Sequence, residues 1–196
     1  MAIPVYAFTG FLESGKTTLI KLINGLLVPD GGEILINGKS IRTDPIGCKR
    51  EIAYIPDNPD LYGFMTGAKY LNFIADIFEI PSNIRQEKIA KYANQFGIMS
   101  NLSQLISEYS HGMKQKLAII AAWIHSPKLI IMDEPSASLD PKNRRKIINT
   151  LKSLDNSLII ATHDLDMVLD VCERDFNRLK EEVRSALSWE NLLDLM

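Results

Sequence analysis

The chain has 196 residues, a formal net charge of −2 and two cysteines, Cys48 and Cys172. This length predicts one domain with a sizeable buried core and room for an inserted subdomain. The near-neutral charge gives no electrostatic basis for binding nucleic acid or an anionic membrane surface, and cysteines without metal-ligand spacing are typical of a reducing cytosol. The longest uninterrupted apolar run, Leu117 to Ile124, has eight residues, too few to span a bilayer. Since the first residues also lack the basic start of a signal peptide, we expect a cytoplasmic protein that reaches a membrane only through a partner.

A glycine-rich loop near the start of the chain is the first informative motif. Residues 10–17 read GFLESGKT, which fits the phosphate-binding pattern G-x-x-x-x-G-K-[ST]. The loop follows a short apolar strand, Val5–Phe8, and precedes a segment whose apolar residues recur at helical spacing until Gly25. This order of strand, loop and helix predicts a site for a nucleoside triphosphate.

The residues of this loop have distinct predicted roles. Lys16 is expected to contact the β- and γ-phosphates, and the hydroxyl of Thr17 to bind Mg²⁺. Backbone N–H groups at the helix N-terminus are expected to surround the phosphates, because the helix dipole favours negative charge there. The predicted nucleotide-binding residues of the loop are Gly10, Glu13, Ser14, Gly15, Lys16, Thr17 and Thr18.

Strand-like segments follow the first predicted helix. Residues 34–36 are apolar and precede a tight turn at Asn37-Gly38. Ile52–Ile55 is a second apolar run, and it ends at Pro56, which cannot donate to a sheet ladder. Both segments are predicted strands.

The next part of the chain has helical spacing. Apolar residues predict one helix from Gly67 to Glu79, with Tyr70, Leu71, Ile74, Ile77 and Phe78 on one face, and a second from Ser82 to Phe96, ended by Gly97. We therefore predict a nucleotide-binding core of residues 1–59 and 110–175, an inserted helical subdomain of residues 60–109 and a C-terminal helix of residues 176–196.

Two further apolar strands, Leu129–Met132 and Leu158–Ala161, come after a third helix that begins near Ser110. Strands that alternate with helices predict an α/β fold with a mainly parallel sheet covered on both faces. Asp133 and Glu134 directly follow the first of these strands. An aspartate at this edge is suited to binding Mg²⁺, and the adjacent glutamate to activating a water molecule.

Motifs in a fixed order along the chain resemble those of the ATP-binding cassette (ABC) ATPases. Residues 109–115, YSHGMKQ, are similar to the signature loop of that family, and residues 136–140, SASLD, resemble its D-loop. Residues 161–164, ATHD, resemble the segment that carries the switch histidine. Residues 54–59 resemble the Q-loop region, although the glutamine is replaced and either Asp57 or Asn58 lies nearest to its place.

The resemblance implies a P-loop NTPase with an inserted helical subdomain, acting as the ATP-hydrolysing subunit of an ABC transporter with ATP and Mg²⁺ as cofactors. Two copies would sandwich two ATP molecules, with Ser110 and Gly112 of one copy facing the P-loop of the other. A membrane transporter subunit would dock on the helical subdomain, without nucleic acid and without direct membrane insertion. His163 would sense the γ-phosphate. The implied catalytic residues are Lys16, Glu134 and His163, and the implied metal ligands are Thr17, Asp133 and Asp57.

The sequence departs from the pattern of the family towards both ends. Nine residues precede Gly10, fewer than the family carries there, and its adenine-stacking aromatic is missing from them. The apolar face of residues 34–36, which would pair with strands from that region, is therefore expected to be exposed. Residues 176–196 have the pattern of an amphipathic helix where further strands are usual. These departures suggest a truncated, recombined or engineered chain with weakened activity.

Two alternatives to the transporter ATPase remain open from the sequence. Residues 3–18 by themselves resemble the P-loop of the metal-chaperone GTPases, although neither the guanine-reading motif nor the cysteine metal motif of that family is found. The chain would then be a GTP-binding, metal-chaperone-like protein. The other alternative is a P-loop domain that binds nucleotide with little or no hydrolysis.

Overall fold

The computed structural model describes residues 5–8, 16–135, 141–153, 156–164 and 166. In chain order, the helices and strands in these residues are β1 (Val5–Phe8), α1 (Lys16–Ile23), β2 (Leu35–Ile36), β3 (Lys39–Ser40), α2 (Pro45–Glu51), β4 (Ile52–Ile55), α3 (Gly67–Ile77), α4 (Ser82–Phe96), 3₁₀ turns at Met99–Asn101 and Ile106–Glu108, α5 (His111–Trp123), β5 (Leu129–Asp133), α6 (Pro141–Ser153) and β6 (Ser157–Ala161).

A parallel sheet with the strand order β1-β6-β5-β4 forms the centre of the described structure. Its strands alternate along the chain with helices, as parallel pairing requires, because a crossover must return the chain to the starting edge. The expectation of an α/β fold with a mainly parallel sheet is confirmed. A separate antiparallel pair, β2 and β3, completes the described strands.

Side chains of alternate residues in β4, β5 and β6 enter two different cores. In β4, Ala53 and Ile55 belong to a large apolar cluster with residues of α3, α4, α5 and α6. Ile52 belongs to a smaller cluster with residues of α1, α2 and β2 on the opposite face. This alternation follows from the two-residue period of a strand. Both faces of the sheet are therefore covered, which explains why its strands read as continuous apolar runs.

The hairpin of β2 and β3 differs in one respect from the sequence expectation. Asn37 and Gly38 form the predicted tight turn, with φ of 50° and 78°, and such turns favour these two residues because they tolerate positive φ. Of the apolar residues before the turn, Ile36 is buried whereas Leu35 is 56% exposed. Only one side of this short strand is therefore uncovered.

Helix α2 was not predicted, although the sequence contains a signal for it. The carboxylate of Asp44 accepts a hydrogen bond from the Gly47 N–H, and Pro45 occupies the first turn. An aspartate cap followed by proline is a typical helix start. The helix has only seven residues, too few for an apolar repeat to stand out.

The predicted helices between residues 60 and 109 are observed with small changes at the ends. Helix α4 has the predicted bounds, and Gly97 ends it with φ of 67°. Helix α3 ends at Ile77 rather than at Glu79, and Ile77 is 53% exposed although Leu71 of the same predicted face is buried. Among the described residues no helix is long and apolar enough to cross a membrane.

Helix α6 was also missed, because most of its residues are polar. A single stripe of Ile147, Ile148 and Leu151 is buried in the large cluster. Pro141 occupies its first position, where proline needs no N–H partner. The spacing of these three apolar residues is the signal that would have identified the helix.

Candidate functional site

The carboxyl ends of three strands meet at one edge of the sheet. Phe8 of β1 pairs with Ala161 of β6, and Ala161 pairs in turn with Asp133 of β5. The chain leaves β1 at this edge and re-enters the described structure at Lys16, the first residue of α1. Ligands of open α/β sheets bind at the carboxyl ends of the strands. The predicted site residues that end or follow β5 and β6, which are Asp133, Glu134 and His163, therefore share one edge.

Glu134 is the centre of a hydrogen-bonded cluster at this edge. Its Oε1 accepts a hydrogen bond of 2.9 Å from the backbone N–H of His163, and its Oε2 accepts one of 2.9 Å from the Thr162 hydroxyl. Its backbone N–H donates to the carbonyl of Ala161 at 2.8 Å, which extends the pairing of β5 with β6 by one residue. The carboxylate is thus held at both oxygens by the segment that follows β6.

Glu134 also has an unusual backbone conformation, with φ of 44°. Residues other than glycine rarely adopt this left-handed conformation, and such strain is often found at functional sites. The conformation occurs directly after β5 ends, where the chain turns away from the sheet. It accompanies the two hydrogen bonds that hold the carboxylate at the strand end.

The side chain of His163 lies beside the same carboxylate. Its Nε2 is 3.6 Å from Oε1 of Glu134, and the His163 side chain is half exposed. The sequence offered no acidic neighbour for this histidine, and the structure places the Glu134 carboxylate beside it. The proximity could not be read from the sequence because the two residues are 29 positions apart.

Two residues that the sequence analysis did not single out complete the cluster. Asp164 donates its backbone N–H to the Thr162 oxygen at 3.0 Å, and its carboxylate pairs with the guanidinium of Arg144 on α6 at 3.1 Å. Thr162 is fully buried. A threonine directly before the switch histidine carried no signal by itself in the sequence.

Asp133 lies at the end of β5 and is partly buried. Burial and the negative charge of Asp133 raise the pKa of the nearby Tyr54 hydroxyl. A carboxylate at the sheet edge, together with the hydroxyl of Thr17 in the first turn of α1, is a set of hard oxygen donors that suits Mg²⁺. No group of three or more His, Cys, Asp or Glu side chains able to hold a metal occurs in the described part of the chain.

The P-loop itself falls mostly outside the described residues. Lys16 begins α1, and Thr17 and Thr18 are exposed in its first turn. The other predicted loop residues lie outside the described structure: Gly10, Glu13, Ser14 and Gly15. The D-loop at residues 136–140 and the predicted helix at 176–196 lie outside it as well.

The signature loop forms the start of α5. Ser110 caps the helix, since its hydroxyl oxygen accepts a hydrogen bond from the Met113 N–H at 3.3 Å. Gly112 is in the first turn, where backbone N–H groups lack partners within the helix. No hydrogen bond joins Ser110 or Gly112 to Glu134 in the described residues of this single chain. The expectation that they act on the nucleotide of a second copy therefore stays a prediction.

Asp57, the third predicted metal ligand, is exposed in the segment that follows β4. A side-chain bond ties this segment to α5, because the Gln115 amide donates to the carbonyl of Pro56 at 3.4 Å. The Q-loop region and the signature helix are therefore in contact. The metal role of Asp57 stays a prediction.

A cavity of about 240 Å³ lies between β4, α3 and α5, and the sequence analysis did not predict it. His125 lines it and stacks on Phe78 with ring centroids 3.8 Å apart. Burial lowers the pKa of His125 to about 4, so the ring is neutral near pH 7 and its Nε2 donates to the carbonyl of Ile52 at 3.2 Å. These contacts give His125 a structural role.

Exposed aromatic residues lie beside this cavity, on the same part of the chain. Phe64 is 76% exposed, and its ring is 5.8 Å from that of Tyr62, which also contacts Phe73 at 5.9 Å. We call Tyr62, Phe64 and Phe73 the aromatic surface. Tyr70, which lines the cavity, is 6.2 Å from Tyr62 and joins the two features.

Comparison with known proteins decides the family. The sequence pattern of the ABC transporter family matches residues 4–137. The chain belongs to the ABC transporter family. The resemblance read from the motifs is confirmed, and the match includes nearly all of residues 3–18, which by themselves had also resembled a GTPase P-loop.

Individual relatives agree with this membership. An ABC transporter ATP-binding protein of Nostoc is 35% identical over 166 residues, covering 82% of this chain and 49% of the relative. The ABC transporter ATP-binding protein YdbJ of Bacillus subtilis is 33% identical over 179 residues, covering 89% of this chain and 57% of the relative. This chain therefore spans about half the length of these curated relatives.

Solved structures of the ABC transporter family confirm the fold. The structure of an ATP-binding subunit of an ABC transporter superposes with a TM-score of 0.83 at 30% identity, covering 86% of this chain and 72% of the other. CbiO1 of Clostridium perfringens, part of the ABC transporter complex CbiONQ, gives a TM-score of 0.72 at 29% identity, covering 86% and 71%. The P-loop NTPase fold predicted from the motifs is thus observed in both.

Proposed function

We propose that this chain binds ATP with Mg²⁺ and hydrolyses it to drive a membrane transporter partner. The observation that carries the proposal is the Glu134 carboxylate, which is held at the end of β5 next to Asp133 and beside His163. A fixed carboxylate at this edge is suited to take a proton from an attacking water. The family membership favours ATP over GTP as the nucleotide.

In this proposal each residue has one role. Lys16 and the N–H groups of the first turn of α1 bind the phosphates. Thr17 and Asp133 hold Mg²⁺, which when bound neutralises charge on the β- and γ-phosphates. Glu134 orients and deprotonates the water, and His163, whose side chain is half exposed, contacts the γ-phosphate.

A second copy of the chain completes each site in this proposal. The capped start of α5 presents Ser110 and the Gly112 N–H outward, as an anion-binding helix N-terminus would. In a head-to-tail homodimer this helix start faces the P-loop of the other copy. Turnover by the separate chain is then slow, because the helix start that completes the site comes from a second molecule.

We place the membrane partner on residues 60–109, as an inserted helical subdomain. The cavity between β4, α3 and α5 and the adjacent aromatic surface support this placement, since contiguous exposed apolar residues at a concave site favour protein contacts. The chain would act at the cytoplasmic face of the membrane through this partner.

The test is a comparison of Glu134→Gln with the parent chain in a phosphate-release assay and in calorimetric titration. The amide keeps the shape of the carboxylate and removes the base, so we expect ATP affinity to persist while Mg²⁺-dependent turnover falls by about a hundredfold or more. Glu87→Gln, the same change at an exposed position of α4, is the matched control and should keep parental turnover.

Three outcomes would contradict parts of the proposal. Parental turnover in Glu134→Gln would mean that another residue is the base. ATP binding without phosphate release by the parent would identify a binding domain without hydrolysis. A preference for GTP of about a hundredfold, equal to about 2.7 kcal/mol, would support the GTPase alternative.

A further inference from the structure

Thr162 directly follows β6, and its hydroxyl links the proposed base, Glu134, to the backbone of Asp164. Its oxygen accepts the Asp164 N–H at 3.0 Å and lies 2.9 Å from Oε2 of Glu134. A hydroxyl has one proton to donate. Since the carboxylate can only accept, that proton is directed to Glu134. Thr162 is fully buried, so water cannot replace this donor at its side.

We propose that Thr162 is a positioning residue for Glu134, and that the Arg144–Asp164 ion pair keeps Thr162 in place. This inference rests on the proposed hydrolytic function of Glu134. In this inference Thr162 acts by orienting the Glu134 carboxylate, and it contacts neither the nucleotide nor the water.

The Thr162 hydroxyl determines the orientation in which the Glu134 carboxylate meets a water molecule. One oxygen of Glu134 is already held by the His163 N–H, which comes from the same short segment. Because Thr162 holds the second oxygen, both carboxylate oxygens are fixed, and rotation about the Cγ–Cδ bond of Glu134 is restricted. Each oxygen retains a lone pair for water. A displacement of about 1 Å in a catalytic group can lower the rate by about a hundredfold.

Arg144 links this arrangement to helix α6. Its guanidinium contacts the Asp164 carboxylate at 3.1 Å, and both side chains are only about one quarter exposed, at 25% and 26%. Three successive contacts therefore connect α6 to the base: Arg144 to Asp164, Asp164 to Thr162, and Thr162 to Glu134. Because α6 begins directly after the D-loop segment, a shift of this helix reaches the carboxylate through the same contacts.

The experiment compares Thr162→Val, which lacks the donor at nearly equal volume, with Thr162→Ser, which retains it. We expect Thr162→Val to lower kcat by about 10- to 100-fold with the KM for ATP within about twofold of the parent. The kcat of Thr162→Ser should stay within about threefold of the parent value. Thr150→Val is the matched control, because Thr150 is also buried and donates its hydroxyl, at 2.8 Å, to a carbonyl within α6. Thr150→Val should lower the free energy of unfolding without the loss of kcat expected for Thr162→Val.

A double-mutant cycle tests the contribution of the ion pair. Arg144→Gln should lower kcat in the parent and add little in the Thr162→Val background, because both changes release the same carboxylate. Additive losses in kcat would overturn the link between Arg144 and Glu134.

Other results would overturn the role of Thr162 itself. Unchanged kcat in Thr162→Val, or an equal loss in Thr162→Ser and in Thr150→Val, would contradict it. The parent and Glu134→Gln are assayed together with these variants. If the parent releases no phosphate, or releases it as fast as Glu134→Gln, the proposed function fails. A hydrolysing parent with an unaffected Thr162→Val overturns only the positioning role.

Discussion

At the scale of single residues, the described structure gives two histidines different surroundings. His163 is half exposed and lies beside the carboxylate of Glu134 at the sheet edge. His125 is stacked on Phe78 and hydrogen-bonded to a backbone carbonyl on the cavity side of β4. The first is accessible to solvent, whereas burial lowers the pKa of the second and keeps it neutral near pH 7.

His125 predicts a pH dependence of stability. Its pKa is lowered from 6.5 to about 4, first by burial and further by the charge of Lys88. Between these values the unfolded chain binds a proton that the folded chain does not, so stability is complete above pH 6.5 and falls as the pH decreases towards 4. By pH 5 the loss from this residue is about 2 kcal/mol.

Urea unfolding of the parent and of His125→Gln at pH 7.5 and at pH 5 measures this loss. We expect the parent to lose about 2 kcal/mol more than the variant between the two pH values, since the variant has no imidazole to protonate. His111→Gln removes an exposed histidine and is the matched control. Equal losses in the parent and in His125→Gln would show that His125 does not titrate in this way.

At the scale of elements, the signature helix α5 is anchored to the start of α3. The Tyr109 hydroxyl donates to the carbonyl of Asn101 at 2.7 Å, next to Gly67, where a Cβ atom would collide with that hydroxyl. Backbone N–H groups of Ile106 and Ser107 donate to carbonyls of Met65 and Gly63 at 2.9 and 3.1 Å. The elements that carry the aromatic surface and the signature loop are therefore joined by both backbone and side-chain hydrogen bonds.

The end of helix α4 gives a prediction about backbone strain. Gly97 has φ of 67° and no atom within 4 Å of the position that a Cβ would occupy, so a side chain there would meet strain and no clash. Gly97→Ala should lower the free energy of unfolding by about 1 kcal/mol.

Gly31 is the matched control for this change. It is exposed, does not have positive φ and also has open space around the Cβ position. Gly31→Ala should be neutral or slightly stabilising, because alanine restricts the unfolded chain. Chemical denaturation measures both, and equal effects would show that the left-handed conformation of Gly97 has no cost.

At the scale of the whole molecule, the sites on one chain are incomplete in the arrangement that we propose. Glu134 and the strand ends occur at one edge of the sheet, and Ser110 starts a helix with no hydrogen bond to them in the described residues. A nucleotide bound at one copy would therefore bridge it to the helix start of a second.

This arrangement predicts a dimer that depends on ATP and accumulates when hydrolysis is blocked. Glu134→Gln with ATP and Mg²⁺ should elute from size exclusion with twice the mass of one chain, as measured by light scattering. With ADP or without nucleotide it should elute as a single chain, because no γ-phosphate is present to contact Ser110. A single-chain mass at saturating ATP would contradict the proposed dimer.

Local patterns in the sequence were sufficient for much of the fold. The apolar runs of β4, β5 and β6 identified the central strands, because strands buried on both faces have no polar alternation. Ser82–Phe96 was predicted with its observed bounds, since Gly97 provides a stop signal that acts within one turn. The motif order along the chain was likewise enough to identify the family.

Tertiary structure alone decided the contacts around the candidate site and the cavity. Thr162 contacts Glu134 only because the parallel register places Ala161 beside Asp133, and Arg144 reaches Asp164 because α6 packs against the same strands. The stacking of His125 on Phe78 likewise joins residues from two helical regions that are far apart in the chain. The sequence determined those features that depend on neighbours within a few residues, such as strands, caps and phosphate-binding loops. Contacts between distant segments depend on register and packing, which no local pattern encodes.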